Sequence, residues 1–500
     1  MPVAHHNNTT LEAETIFEHF RELTIGNDQF FETPFGEKPM VYADWVASGR
    51  LYGPIEERLT NDIGPFVGNT HTETSVTGTT MTQAYHLARE IIKQHVNADK
   101  NDVLIAFGSG MTSVINKFQR MLGLRIPEKL QNQVDISPNE RPVVFITHME
   151  HHSNQTSWLE TIADVECIEP DDDGLVNIPH LEELLEKYKN RPLKIASVTA
   201  CSNVTGIFTP FYKIAEMMHK NNGLCFVDYA CSAPYVRMDM HPANPLEKLD
   251  AIFFSPHKFL GGPGTPGILI FDSSLYNNTI PDNPGGGTVK WTNPWKEYHY
   301  IDNIEDREDG GTPPFLQTIK AALCVRLKEQ MGINNIMERE HVMVKNIFER
   351  MDRIKGLHIL AGNVKDRLGV ISFYIDGLHY NLGVKLLNDR YGIQVRGGCS
   401  CAGTYGHYLL NVSREHSREI TSEIDKGDLS HKPGWIRLSL HPTMTDETIE
   451  YIIQAIEEMA LHYKAWQRDY VYHSDINEYK HRTYISGEKE LVEKWFEDLD

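Results

Sequence analysis

The sequence predicts an α/β protein: a large, doubly wound, mostly parallel sheet with a smaller C-terminal α/β domain. Two observations predict it. Short β-branched runs alternate with amphipathic helical stretches through the middle third of the chain, and many of those runs end in polar or glycine-rich clusters. In an open α/β sheet the ligand crevice lies outside the carboxyl ends of the strands, so the clusters are expected to converge on one edge.

Taken in order, the strands are Val103 to Phe107, Val143 to Thr147, Asp164 to Ile168, Lys194 to Thr199, Leu224 to Asp228, Ala251 to Ser255 and Gly267 to Phe271. Clusters follow five of them: Gly108 to Asn116, Met149 to Asn154, Cys201 to Gly206, Asp228 itself, and Ser255 to Lys258. A long helical stretch from about Ile319 to Arg350 leads into the smaller unit. That unit has strands at Gly369 to Ile375, Ile393 to Arg396 and Trp435 to Leu440, and helices at Asn381 to Tyr391 and Asp446 to Trp466. Thr445, with Asp446 and Glu447 behind it, supplies the N-cap and acidic first turn of the last helix. The expected division is an N-terminal segment over 1–45, a large domain over 46–318, a linking helix and small domain over 319–466, and a charged extension over 467–500. The extension has no clear periodicity and is assigned no function.

Bulk properties narrow the function classes. Five hundred residues bury a large core, and a formal charge of −21 argues against a nucleic-acid partner or an anionic membrane surface. The start, Met1 to Asn8, lacks a charged region followed by an apolar one, and no apolar run approaches the ~18 residues of a membrane span. The expectation is a cytoplasmic protein. Seven cysteines, an odd number and mostly inside apolar runs, read as reduced core residues, with Cys399 and Cys401 as the exception.

The chemistry centres on Ser255, His257 and Lys258, which stand where a buried strand runs into a glycine-rich turn. A lysine amine there suits condensation with an aldehyde cofactor, and Asp228, at the end of the preceding apolar run, is the carboxylate such a cofactor's pyridine nitrogen needs. Gly110, Met111 and Thr112 open a helix, whose free N–H groups and dipole favour a phosphate. Each residue alone also has a bland reading: a solvated strand end for Lys258, a turn cap for Asp228, a turn residue for Asn203.

As an ordered set, Glu150 to Asn154, Ser202 to Gly206, Val227-Asp228, Ser255 to Lys258, Gly311 to Pro313, Val395 to Cys401 and Ile436 to Ser439 resemble the class V aminotransferase family. These are fold-type I enzymes dependent on pyridoxal 5'-phosphate, and the likeness, from about Val41 to Leu461, is to the cysteine desulfurase and selenocysteine lyase branch. The resemblance implies that Lys258 binds the cofactor and moves the substrate's α-proton. It implies that Asp228 keeps the ring nitrogen protonated, that His151 stacks on the ring, and that Asn203 bonds its phenolic oxygen. Thr112, Ser255 and His257 would hold the phosphate, with Thr312 reaching it from the neighbouring subunit of a homodimer. Arg437, assisted by Arg396, would clamp the carboxylate of a small amino-acid substrate, although a structural ion pair is an alternative for an arginine in an apolar strand.

Cys401 matches the cysteine that takes sulfur from cysteine, or selenium from selenocysteine, leaving alanine and passing sulfur to an acceptor protein. Arg396 and His407 are candidate cations to favour its thiolate. Cys399 is unusual beside the family pattern and is read as a relay or a resolving thiol; two cysteines do not make a metal site. Relatives commonly carry glutamine where this chain has Cys231, which leaves the substrate class open. An aminotransferase, epimerase or related lyase with Cys401 inert is the alternative, and a non-catalytic scaffold a third reading.

Overall fold

The computed structural model describes residues 13–70 and 72–498, so the Met1 to Asn8 run lies outside the described residues. Seven strands form the large sheet: β1 (Asp102–Phe107), β2 (Val143–Thr147), β3 (Asp164–Ile168), β4 (Lys194–Thr199), β5 (Leu224–Asp228), β6 (Ala251–Phe254) and β7 (Gly267–Asp272). Their spatial order is β1-β7-β6-β5-β4-β2-β3. The run from β6 to β3 is parallel, and β7 alone runs against both neighbours.

Alternation along each strand builds two cores. Ile105, Val144, Phe226 and Phe253 face one side, where they pack on Phe118 and Trp158 from α1 (Met111–Met121) and α2 (His152–Leu159). Leu104, Phe145, Val227 and Phe254 face the other, against α3 (Phe315–Met331) and the small domain. Phe118 makes ring contacts with Phe226, Phe253 and Phe271. Full burial of each such ring contributes about 1.5–3 kcal/mol. Helices therefore cover both faces, and only the strand ends remain open for chemistry.

The long helical stretch read from the sequence is two helices, α3 and α4 (Ile333–Met351), broken at Gly332, whose φ of 80° no helix continues through. The small domain carries β8 (Leu357–Ile359), β9 (Val370–Ile375), β10 (Arg396–Gly398) and β11 (Trp435–Ser439), antiparallel in the order β8-β9-β11-β10. The expected strand at Ile393 to Arg396 splits: Ile393–Gln394 pairs with Val41–Tyr42, and the chain then crosses at Val395 into β10. Residues just before position 45 thus sit on the small domain. Thr445 caps α5 (Asp446–Trp466) as its side chain accepts from Thr448 N–H at 2.9 Å. The extension forms a hairpin, Tyr470–His473 with Glu478–His481, and a short helix over Glu488–Lys494.

Candidate active site

The carboxyl ends of β1, β2, β4, β5 and β6 open on one cavity of about 310 Å³. Gly110, Met111, Thr112, His151, Asn203, Asp228, Cys231, Ser255, His257, Lys258, Arg396, Cys401 and Arg437 all line it. Thr312 does not; it lines a separate cavity of about 550 Å³ beside Asn283 and Asp309, and its hydroxyl reaches Asn69 Oδ1 at 3.4 Å.

Local bonds fix the cavity wall. Ser255 Oγ accepts from Met111 N–H at 2.8 Å, tying the turn after β6 to the start of α1. A side chain at Gly110 would meet Ser255 Oγ at 3.1 Å and the His257 ring at 3.7 Å, so backbone, hydroxyl and imidazole share one cradle. Thr112 and Ser153 hydroxyls bond at 2.6 Å, and Ser153 N–H donates to His151 Nδ1 at 3.1 Å, which caps α2 and fixes its ring. Below it, buried Glu150 accepts from Thr147 Oγ1 at 2.6 Å, Asn154 Nδ2 at 2.7 Å and Thr199 N–H at 2.9 Å, locking the β2 turn onto β4.

Burial dominates the electrostatics. Loss of water pushes Asp228 up to about 6, against the pull of Ala230 N–H and of Lys258. Among the described residues Asp228 accepts only that N–H, on Oδ1 at 2.8 Å, which leaves Oδ2 for a group in the cavity. Lys258 is lowered by burial, with Cys231 and Asp228 opposing, which raises the share of neutral, nucleophilic amine. Burial, then Lys258, lower His151 to about 3 and His257 to about 4, so both rings are neutral at pH 7. Neutral rings suit packing on a flat ligand and hydrogen bonding to an anion.

Arg437 and Arg396 stand directly opposite each other on β11 and β10, a like-charge pair that strand pairing alone disfavours. Asp44 resolves it: Oδ1 meets Arg437 at 2.7 Å and Oδ2 meets Arg396 Nε at 3.0 Å. Arg437 also donates to Asn203 O at 3.2 Å, and its buried Nε has no partner among the described residues. The ion pair weighed for Arg437 is therefore present. The cluster still carries two positive charges to one negative, so it attracts a further carboxylate.

Cys401 is exposed at the lip of the cavity. Ser400 and Cys401 both have left-handed backbone, with φ of 51° and 57°. Four bonds hold them there: Ala402 N–H to Cys399 O at 2.9 Å, His152 N–H to Cys401 O at 2.7 Å, Gly403 N–H to His152 Nε2 at 2.9 Å, and Asn203 Nδ2 to Ser400 O at 2.8 Å. Asn203 thereby ties the cavity floor to the cysteine loop, and its buried Oδ1 has no partner among the described residues. His407 is otherwise engaged, its nitrogens on Gly403 O at 2.7 Å and Ser417 Oγ at 2.8 Å.

Sequence reasoning missed Asp44 and the loop-holding role of His152. Asp44 lies 352 and 393 residues from its arginines and belongs to no motif, so only the folded chain reveals it. His152 offered a signal in its place beside His151, but its partners are backbone atoms, which no side-chain pattern records.

The aminotransferase class-V family model matches residues 41–452. A probable cysteine desulfurase of Halalkalibacterium halodurans is 27% identical over 372 residues, covering 73% of this chain and 84% of that protein. A cysteine desulfurase of Haloferax volcanii is 25% identical over 404 residues, 77% and 89% of the two chains. In fold, the chain is similar to an apo cysteine desulfurase from Thermococcus onnurineus, with a TM-score of 0.71 at 21% identity over 89% of this chain and 98% of the other. With most of its length matched and its polar clusters gathered where the sheet opens, the chain belongs to the aminotransferase class-V family.

Proposed function

We propose that the protein is a pyridoxal phosphate-dependent cysteine desulfurase, taking sulfur, or selenium from selenocysteine, onto Cys401 and leaving alanine. The observation that carries this reading is an exposed cysteine on the lip of a cavity whose floor holds a half-buried amine and a buried carboxylate.

The cavity fits the cofactor. The Gly110, Ser255 and His257 cradle suits its phosphate; Asp228 Oδ2 suits a protonated ring nitrogen; Lys258 supplies the amine. When bound, pyridoxal phosphate supplies an aldehyde that captures amines and a ring that withdraws electrons from the substrate's α-carbon. Asp228, as a carboxylate, would keep a proton on the ring nitrogen. Lys258, its amine kept partly neutral by burial, accepts the α-proton and returns it. His151 would pack on the ring, while Arg437 and Arg396 would orient the substrate carboxylate. Cys401 Sγ would attack the substrate sulfur; the carbon–sulfur bond breaks with its electron pair left on the carbon, which takes up a proton to become the methyl of alanine, and a persulfide remains on Cys401.

The finer parts of the reading are a homodimer in which Thr312 completes the partner's phosphate site, an acceptor protein for the sulfur, and a cytoplasmic location. Thr312 lies exposed and outside its own cavity, as a residue acting on a neighbour does. All seven cysteines are free, in keeping with a reducing compartment. No helix among the described residues is long and apolar enough to cross a membrane.

The test is a visible spectrum of the purified, cofactor-loaded protein before and after L-cysteine, with alanine and sulfide measured in the same tube under a reductant. Stoichiometric alanine and sulfide support the reading. A spectrum that responds to another amino acid and not to cysteine moves the assignment to an aminotransferase or lyase of the same family.

A further inference from the structure

The chemistry above uses one of the two cysteines in the loop and leaves Cys399 without a task. Ala402 N–H bonded to Cys399 O, with left-handed residues at 400 and 401, is the signature of a type I′ turn. Such turns ordinarily take Asn and Gly at their centre, and each other residue there costs about 1–2 kcal/mol. Ser400 and Cys401 are kept in that conformation by His152 and Asn203, which grip their carbonyls from the large domain. The result is a fixed corner with Cys399 at its first position and Cys401 at its third. Two residues apart inside a turn, their Cα atoms fall within the ~4.4–6.8 Å that a disulfide spans.

The two thiols differ in setting. Cys401 is exposed and lines the cavity; Cys399 is half-buried, packs against the core beneath the loop, and does not line the cavity. Both are free of any disulfide. A disulfide closed over a single intervening residue is strained, and strained disulfides are the readily reduced, catalytic kind. A structural role for the pair is correspondingly disfavoured.

We propose that Cys399 is a resolving cysteine that discharges the Cys401 persulfide as sulfide, a step that rests on the desulfurase reading for its persulfide. The Cys399 thiolate attacks Sγ of Cys401; the Cys401 Sγ–S bond breaks, and the outer sulfur leaves with the bonding pair and the persulfide proton as HS⁻. That sulfur is reduced by two electrons, and the two cysteines are oxidised to a disulfide. A dithiol reductant restores the turn, giving two electrons and two protons. The protein thus releases inorganic sulfide in step with a thiol reductant, without an acceptor protein seated on Cys401.

The experiment runs two arms on the cofactor-loaded protein and on Cys399→Ser, without reductant, each stopped by alkylation and read by peptide mass. In the first arm L-cysteine is the sulfur source; in the second, inorganic polysulfide loads Cys401 independently of the cofactor. The parent protein is expected to give a 399–401 disulfide with one sulfide released per subunit in both arms. Cys399→Ser is expected to hold its persulfide on Cys401 and release sulfide at least about tenfold more slowly, because an intramolecular attack has been lost. Alanine formed in the first turnover should be the same for both. A persulfide that lasts as long in the parent as in the variant, with no disulfide in either arm, overturns the proposal. If L-cysteine yields no alanine while polysulfide still yields the disulfide, the desulfurase reading fails and the resolving chemistry of the turn stands.

Discussion

The floor of the cavity and its lip are built on opposite principles. Asp228, Ser255 and Asn203 end or follow buried strands, are less than a tenth exposed, and are placed by a sheet that shields them from water. Cys401 sits in an exposed turn whose backbone is unfavourable in itself and is held by bonds from His152 and Asn203 of the large domain. Proton transfer and cofactor binding gain from a dry, fixed setting where burial shifts the amine and the carboxylate. A sulfur carrier has to meet a second molecule, so it is placed where water reaches it, and its geometry comes from borrowed hydrogen bonds.

The largest effects should separate the two regions. Lys258→Ala is expected to abolish the visible absorbance of the bound aldehyde and to cut alanine formation by roughly 10³-fold or more. Cys401→Ser should abolish sulfur transfer equally, yet keep the absorbance and its response to L-cysteine, which a spectrophotometric titration reads directly. If Cys401→Ser turned over normally, the lip would have no chemical part and the comparison would collapse. Next in size is Asp44→Asn. Without the carboxylate, Arg396 and Arg437 face each other across two strands, and breaking a buried pair costs up to about 3–5 kcal/mol, discounted here because Arg396 is half exposed. The expected readouts are a lower unfolding midpoint and a raised KM for cysteine; an unchanged midpoint would show that Asp44 does not hold the pair.

The floor was legible in the sequence because strand alternation and the polar clusters at strand ends are both local signals. The Ser255 to Lys258 cluster, Asp228 and the Gly110 helix start could be placed before any fold was known. The lip was legible as residues and not as geometry: Cys401 was singled out, but its left-handed turn depends on a histidine nearly 250 residues earlier in the chain. Asp44 was illegible for the same reason, since an ion pair between distant segments leaves no periodicity. The helix break at Gly332 and the switch of sheets at Val395 were missed because both are decided by where neighbouring elements sit. Apolar pattern records what is buried, and says little about which partner buries it.

His152→Ala should act on the lip alone, with a smaller effect. It removes the acceptor for Gly403 N–H while leaving the backbone bond to Cys401 O in place. Sulfur transfer should fall a few-fold, about the loss of one hydrogen bond of ~1 kcal/mol, with the cofactor absorbance unchanged. An altered absorbance would mean that the floor and the lip are one unit.

The smallest expected effect concerns a buried carboxylate outside both regions, between α4 and the start of β9. Glu340 on α4 is buried; Oε2 accepts from Gly369 N–H at 2.9 Å, ahead of β9, and Oε1 has no partner among the described residues. Burial raises it from 4.5 to about 8, with Gly369 N–H pulling the other way. A carboxyl raised on folding stabilises the protein fully below its unfolded value, and that contribution is lost as pH climbs through about 8. Glu150, raised to about 7, and Asp228, raised to about 6, act in the same sense. The depressed histidines act oppositely and only below their ordinary value of 6.5. Buried Lys328, lowered to about 7, also acts oppositely and gains stability above that value. Between pH 6.5 and 8.5 cofactor-free Glu340→Gln should therefore gain thermal stability relative to the parent as pH rises, since glutamine keeps the acceptor for Gly369 N–H and never ionises. Parallel melting curves for the two proteins across that range would mean that Glu340 is already charged in the fold, paired with a cation that the packing around Gly369 does not provide.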